Sequence, residues 1–451
     1  MTRSDEEQPV KVPNASEAKQ TGEAYAAPWA WVERSIWTDR MLDALRKGVK
    51  GGVWFSLIDK VYRQNTLQKA WESVRANKGS AGTDNQTVDG FARNLERNLA
   101  KLSEELQSGT YHPRPIRRVY IDKPGSNEKR PLGIPAVRDR VAQAALRLVI
   151  EPIFEATFAP QSYGFRPGRG CKDALRRVEE LLKTGHTWVV DADLKGYFDS
   201  IPHDRLMKEV EKYMADGRVR ELLRMFLKQK ILDGLKQWEP EGGTPQGAVI
   251  SPLLANLYLH PVDKVMSKAG YQMVRYADDF VILCQTRHEA HNALDLVKEL
   301  TAERGLTLHP QKTRLVDVTK PTESFDFLGY RFEKDTRWPR KKSMRKLKDA
   351  IRSKTKRCNA HSMERIIQNV NQTLKGWFEY FKHSNQWTFE PIDGWIRRRL
   401  RSILRKRNKL SGISRGGRDN QRWPNKYFRE LGLFSLAEAH CSLIQSSRRN
   451  H

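Results

Sequence analysis

Two adjacent carboxylates sit inside the apolar run VRYADDFVILC, Val274–Cys284. A second acid set closes the hydrophobic stretch WVVDADL, where Asp191 and Asp193 stand two residues apart. Asp is common in turns for an ordinary reason: its short side chain bonds nearby backbone and tolerates strained dihedrals. The apolar flanks on both sides make that explanation insufficient here. If the two runs are neighbouring strands, Asp193, Asp278 and Asp279 meet at one edge of a sheet. Three carboxylates at one place repel one another and call for cations. Mg2+, a hard ion, takes carboxylate oxygens together with substrate phosphate. Two such ions about 3.5–4 Å apart can activate an attacking hydroxyl and stabilise the leaving oxygen of an in-line phosphoryl transfer.

The composition points to a phosphate-rich partner. The chain of 451 residues carries 81 Lys and Arg against 54 Asp and Glu, a formal net charge of +27. An excess of that size favours a polyanion, either nucleic acid or an anionic membrane. The excess is uneven: Arg331–His451 holds 31 basic and 10 acidic residues. No apolar run approaches the ~18 residues of a membrane span, so no membrane partner is expected. Cys171, Cys284, Cys358 and Cys441 are far apart and form no CxxC pair. That spacing argues against a zinc knuckle and suits a reducing, cytoplasmic setting. The polar start MTRSDEEQPV does not resemble a signal peptide.

Length allows two or three domains. Residues 1–28 read as a disordered tail. NKGSAGTDNQTV reads as a loop, and LERNLAKLSEELQSG as a helix stopped at Gly109. RRVYIDKPGSNEKRPLGIP reads as a β-hairpin. DRVAQAALRLVIEP reads as a helix ending near Pro152, and GTPQGAVISPLLANLYL as a glycine loop feeding a long helix. The alternation of strands and helices around the acids predicts an α+β sheet domain with helices on one face. DTRWPRKKSMRKLKD reads as a basic linker. Beyond it, Met363, Ile366, Ile367, Val370 and Leu374 recur at helical spacing, as do Ile396, Leu400, Ile403 and Leu404. On the second of these helices the arginines are expected to face outward, two of them at most lying at the margin of the stripe.

Taken in order, these motifs resemble the group II intron-encoded reverse transcriptases, the maturase family, over roughly Phe55–His440. KRPLGIP, DRVAQAAL and SYGFRPGRGCKDAL resemble its fingers; DADLKGYFDSIP, GTPQGAVISPLLANLYL, YADD, GLTLHPQKT and FDFLGY resemble its palm. The segment from Asp335 to Lys409 resembles its thumb or X domain. The resemblance implies an α+β, right-hand polymerase with fingers and palm followed by an α-helical thumb. It implies a fingers and palm unit with its N-terminal extension at 29–332, a thumb at 335–409 and a basic nucleic-acid-binding module at 410–451.

The resemblance also assigns roles. Asp193, Asp278 and Asp279 become catalytic ligands of two Mg2+ ions, with Mn2+ as a substitute, and Asp191 a supporting acid. Phe198 becomes the ring beneath the incoming sugar, which blocks a 2′-hydroxyl. Lys123 and Arg130 become triphosphate contacts, and Gln246 and Gly247 the floor of the nascent pair. Lys312 faces the leaving pyrophosphate. Gly164, Phe165 and Arg166 shape the template channel. Independently of the resemblance, the stripe of the second helix leaves Arg398, Arg401 and Arg405 expected to meet RNA phosphates. Trp377, Trp387, Trp395 and Trp423 are candidates for base stacking, two of them at most. The implied partners are an RNA template, a primer or DNA target, deoxynucleoside triphosphates and group II intron RNA. The zinc-bearing nuclease of many relatives has no counterpart in the motifs, so second-strand cutting is not expected. Alternatives are a domesticated reverse transcriptase in defence or repair, and a maturase that assists splicing only. An RNA-copying RNA polymerase fits less well with Phe198 as a sugar gate.

Overall fold

The structure, a computed structural model, describes residues 29–49, 51–122, 129–334, 336–410, 412 and 417–449. The expected N-terminal tail, Lys123 and the tip of the first hairpin lie outside the described residues. Eleven strands are described: β1 (Ile116–Asp122), β2 (Lys129–Ile134), β3 (Trp188–Asp193), β4 (Ile231–Asp233), β5 (Lys236–Trp238), β6 (Gln272–Tyr276), β7 (Asp279–Cys284), β8 (Arg314–Asp317), β9 (Phe325–Phe327), β10 (Tyr330–Glu333) and β11 (Thr336–Pro339). They form three sheets, ordered β2-β1-β4-β5, β6-β7-β3-β8 and β11-β10-β9.

The second sheet is antiparallel throughout and carries the acids. Its strands are apolar at both parities, which buries both faces. Val190, Ala192, Phe280 and Ile282 join a core built with the helices Ser251–Lys268 and Arg287–Glu303. Val189, Val274, Val281 and Leu283 join another with the helix Cys171–Lys183. Helices therefore cover both faces, where alternation alone suggested one. The consecutive valines at 189 and 190 are the residues that require the second layer.

The helix Val137–Glu155 runs through Pro152 instead of ending there. Proline cannot bond the carbonyl four residues back. The Trp37 indole donates to that carbonyl, on Leu148, at 3.1 Å, so the helix continues without an orphaned acceptor.

The expected basic linker is ordered structure. Its first residues form β11, which pairs with β10, and Lys341–Lys354 is a helix with Leu347 and Ile351 buried. The helices Met363–Phe381 and Phe389–Arg407 follow with the buried stripes expected of them. Trp423, Phe428 and Leu436 share their core with Ile366, Val370, Leu400 and Ile403. The segment from Trp423 to Leu436 is thus packed into the helical unit. The Asp393 carboxylate fixes this junction by accepting from the Ser435 hydroxyl and the Leu436 and Ala437 amides.

Phe381 ties the helical unit to the acid-bearing sheet, packing with Val281, Val316 and Phe327. The Tyr330 hydroxyl donates to the Tyr380 carbonyl at 2.6 Å, and the Tyr380 hydroxyl to the Leu328 carbonyl at 2.7 Å.

Candidate active site

β3 and β7 are paired in a register that sets Asp193 directly opposite Asp279. Cross-strand partners share a face, so Asp191, Asp193 and Asp279 lie on the same side of the sheet. Asp278 sits beside them in the tight link between β6 and β7, where Tyr276 pairs with Asp279. Ala277 takes φ 59°, a left-handed backbone that L-residues avoid. The structure thus brings the three acids of the sequence reading to one sheet edge.

Their electrostatics show the cost. Burial pushes the Asp279 carboxyl up to about 7, helped by the charges of Asp191, Asp278 and Asp193. Burial raises Asp278 as well, with a further push from Asp193. Asp191 is raised to about 6 by burial, against which Arg314 pulls it down from 3.2 Å. Lys312 places its ammonium 2.6 Å from Asp193 Oδ2. Among the described residues, no three Asp, Glu, His or Cys side chains close around a single ion-sized point. The donors present are all carboxylate oxygens, held in mutual repulsion, which suits a hard divalent cation in kind.

Phe198 lies in the short helix Tyr197–Ser200 that follows Asp193. Its ring is half-buried, 5.6 Å from that of Tyr197. The Thr244 amide donates to its carbonyl at 2.6 Å, so the glycine loop holds the backbone under the ring. Gln246 and Gly247 stand against β2: the Gly133 amide donates to the Gln246 carbonyl at 2.7 Å. A Cβ on Gly247 would lie 2.5 Å from the Gly133 carbonyl oxygen. The close approach that requires glycine here is therefore to β2 backbone. Arg130 is exposed on β2 and its charge bears on both Asp278 and Asp199.

Gly164 lies under the acid-bearing turn, where a Cβ would come within 2.3 Å of the Ala277 nitrogen. Phe165 is 48% exposed beside Tyr276, with ring centroids 6.2 Å apart. Arg166 is placed differently from the expectation. It is buried, paired with Glu155 at 2.6 Å and donating to the Ala159 and Ser162 carbonyls, so it braces its own loop. The arginine helix also needs correction. Arg398 is exposed, but Arg401 is buried, donating to the Trp423 carbonyl and Asn425 Oδ1. Arg405 is half-buried and pairs with Asp419 at 2.7 Å. Both clasp the C-terminal segment that covers this side of the helix. Outward charge lies instead on the helix after β11, where Lys341, Arg345, Lys346 and Arg352 are exposed. Of the tryptophans, Trp423 is buried, Trp377 packs between the two units, Trp395 lies beneath Arg352 and Arg399, and Trp387 is 68% exposed.

The sequence reading missed Arg275, Asp263 and Asn256, which lie fully buried beneath the turn. The available signal was the single charge of β6, Arg275, set between apolar residues.

An antiparallel sheet with paired acids at its edge, a ring-bearing helix after the first acid and a glycine loop closing over that helix define a polymerase palm. The comparisons make this specific. Residues 121–332 match the model for reverse transcriptase (RNA-dependent DNA polymerase), and 344–423 the group II intron maturase-specific domain. Protein YkfC of Escherichia coli is 36% identical over 312 residues, covering 58% of this chain and 80% of YkfC. The group II intron-encoded protein LtrA of Lactococcus lactis is 38% identical over 214 residues, 47% of this chain and 35% of LtrA. An uncharacterized 91 kDa protein in the cob intron of Schizosaccharomyces pombe is 39% identical over 197 residues, 43% of this chain and 24% of that protein. The chain therefore belongs to the group II intron reverse transcriptase/maturase family. It spans about a third of LtrA.

Proposed function

We propose that the chain is an RNA-directed DNA polymerase that also binds group II intron RNA and assists its splicing and mobility. The observation that carries the reading is the register of β3 and β7, with Asp193 facing Asp279 beside Asp278. These three acids would hold two Mg2+ ions, for which Mn2+ can stand in. There the ions would supply charge neutralisation for a transferring phosphoryl group and activation of a primer hydroxyl. The chain's own residues do the rest. Phe198 packs against the deoxyribose and excludes a 2′-hydroxyl. Arg130, with Lys123, grips the triphosphate through charge-assisted hydrogen bonds. Gln246 and Gly247 lie under the nascent pair, and Lys312 leaves Asp193 to face the departing pyrophosphate. Asp191, neutralised by Arg314, supports the sheet edge.

We assign fingers and palm to residues 29–332 and the thumb to 335–409, with the C-terminal segment packed on it. The exposed cations of Lys341–Lys354, with Arg398, form the phosphate-binding face for RNA. Phe165 and Trp387 offer exposed rings for stacking. No helix among the described residues is long and apolar enough to cross a membrane. The four cysteines are unpaired, which suits a reducing cytoplasm. The test is extension of a DNA primer on an RNA template with deoxynucleotides, beside a DNA template and ribonucleotides. Full-length cDNA that requires a divalent ion and discriminates against ribonucleotides supports the reading. A protein that binds intron RNA tightly but makes no cDNA supports the splicing-only alternative.

A further inference from the structure

Beneath the Ala277–Asp278 turn lies a buried polar assembly that no catalytic step above uses. Arg275 is 1% exposed and Asp263 0%. The guanidinium meets the carboxylate through two bonds, Nε to Oδ1 at 2.7 Å and Nη2 to Oδ2 at 2.5 Å. Its remaining nitrogen, Nη1, points the other way. That atom donates to the Ala277 carbonyl at 2.8 Å and to Asn256 Oδ1 at 2.9 Å. Asn256 Nδ2 in turn donates to the Gly164 carbonyl at 2.6 Å.

The backbone is pinned in the same place. The Tyr163 amide donates to the Arg275 carbonyl at 2.8 Å, and the Arg275 amide to the Gln161 carbonyl at 3.0 Å. Gln161 Nε2 reaches the Asp263 carbonyl at 2.8 Å. The loop 161–164, β6 and the helix Ser251–Lys268 are thus cross-linked around one guanidinium. Gly164 has no side chain to keep it from the Ala277 nitrogen.

A buried ion pair is a poor device for stability alone, because a well-packed apolar replacement is commonly neutral or better. What an apolar replacement cannot do is donate to the Ala277 carbonyl. Ala277 sits at φ 59°, in a conformation its neighbours must impose. The carboxylates at 278 and 279 follow directly from that residue, so its rotation sets where they point.

We propose that Arg275, anchored by Asp263 and aligned by Asn256, is a positioning residue that holds the left-handed Ala277 turn and thereby sets the spacing of the Asp278 and Asp279 carboxylates. The role rests on the polymerase reading for its consequence and on the turn geometry for its cause, and the two are separable by experiment.

The decisive variant is the full-length chain with Arg275→Met and Asp263→Leu together, which removes both charges and keeps side-chain volume. Arg275→Lys is made alongside, keeping the charge but losing the fork. Hydrogen exchange of the peptide spanning 274–281 is measured without metal, and Mn2+ affinity by electron paramagnetic resonance. Primer extension is measured against Mg2+ concentration, and primer–template affinity separately. In the folded variants we expect amide exchange in the turn to quicken at least ten-fold while the flanking β7 amides stay protected. Mn2+ binding should weaken and the Mg2+ for half-maximal extension rise, each several-fold, with kcat down ten-fold or more. Primer–template affinity should stay within two-fold. If the double variant fails to fold, Arg275→Lys decides by the same measurements. A folded variant with wild-type turn exchange and Mn2+ affinity overturns the proposal. So does a loss of activity that tracks global unfolding while the Mg2+ requirement is unchanged. Should the wild-type chain extend no primer, the polymerase reading fails, and turn exchange and Mn2+ affinity still decide the role of Arg275.

Discussion

Asp279→Asn should make the metal-free protein more stable while removing its activity, and the gain should depend on pH. The Asp279 carboxyl is raised from an ordinary 3.8 to about 7 by burial and by the charges of Asp191, Asp278 and Asp193. A raised carboxyl means that the folded state binds the proton more tightly than the unfolded state does. Below about pH 4 the group is protonated in both states and contributes nothing. Between about 4 and 7 the unfolded chain ionises freely while the folded chain resists, and stability falls as pH rises. Above about 7 the penalty is complete. Three pKa units correspond to about 4 kcal/mol. Its neighbours titrate with it, so roughly 2–4 kcal/mol is the expected range. Urea unfolding at pH 8 in EDTA should show Asp279→Asn more stable by that amount, with the difference closing toward pH 4.5. Adding Mg2+ at pH 8 should stabilise the wild type and not the variant, since a ligand of the native state adds stability by mass action. A variant less stable than wild type at pH 8, or a gain equal at both pH values, would refute the claim that these carboxylates are held together against repulsion.

Other consequences follow from single contacts. Phe198→Val should lower discrimination between deoxy- and ribonucleotides at least ten-fold, read as the ratio of kcat/KM values, with a smaller effect on deoxynucleotide use itself. Gly164→Ala must displace the turn, because its Cβ would sit 2.3 Å from the Ala277 nitrogen. Extension should fall ten-fold or more and stability by about 1–3 kcal/mol. Arg345→Gln with Lys346→Gln should flatten the slope of log K against log[salt] for intron RNA by about 1.4–1.8, at 0.7–0.9 for each phosphate contact. Arg401→Gln should leave that slope unchanged and lower thermal stability, since its donors are spent on Trp423 and Asn425.

The acids were legible because they break apolar runs at two places whose parity matches, and the register of β3 and β7 honours that parity. The helical stripes were legible for the same reason: burial imposes a period that residue types reveal. Arg401 was not. It lies about 100° round the helix from Leu400, on a side that looks solvent-facing until Trp423 and Phe428 cover it. Nothing in the local sequence reports a layer added by residues twenty positions later. Arg166 misled in a similar way, because its partner Glu155 lies on the preceding helix and the pairing depends on how the loop folds back. Gly247 was expected beneath the nascent pair and Gly164 in the template channel, but the backbone that each approaches, Gly133 and Ala277, is a tertiary fact. Pro152 looked like a stop because the compensating donor, Trp37, comes from more than a hundred residues upstream.

Whether Asp193, Asp278 and Asp279 form the site of nucleotide transfer is decided by single-nucleotide incorporation on a pre-annealed RNA template and DNA primer. The measurement compares the wild type, Asp278→Ala and Asp191→Asn in rapid quench across a Mg2+ series. Asp278→Ala should lose incorporation by at least a thousand-fold at every Mg2+ concentration while binding primer–template normally. Asp191→Asn should retain most of the rate, since Asp191 is neutralised by Arg314 and supports the edge. Substantial incorporation by Asp278→Ala, or a loss as deep in Asp191→Asn, would contradict that assignment.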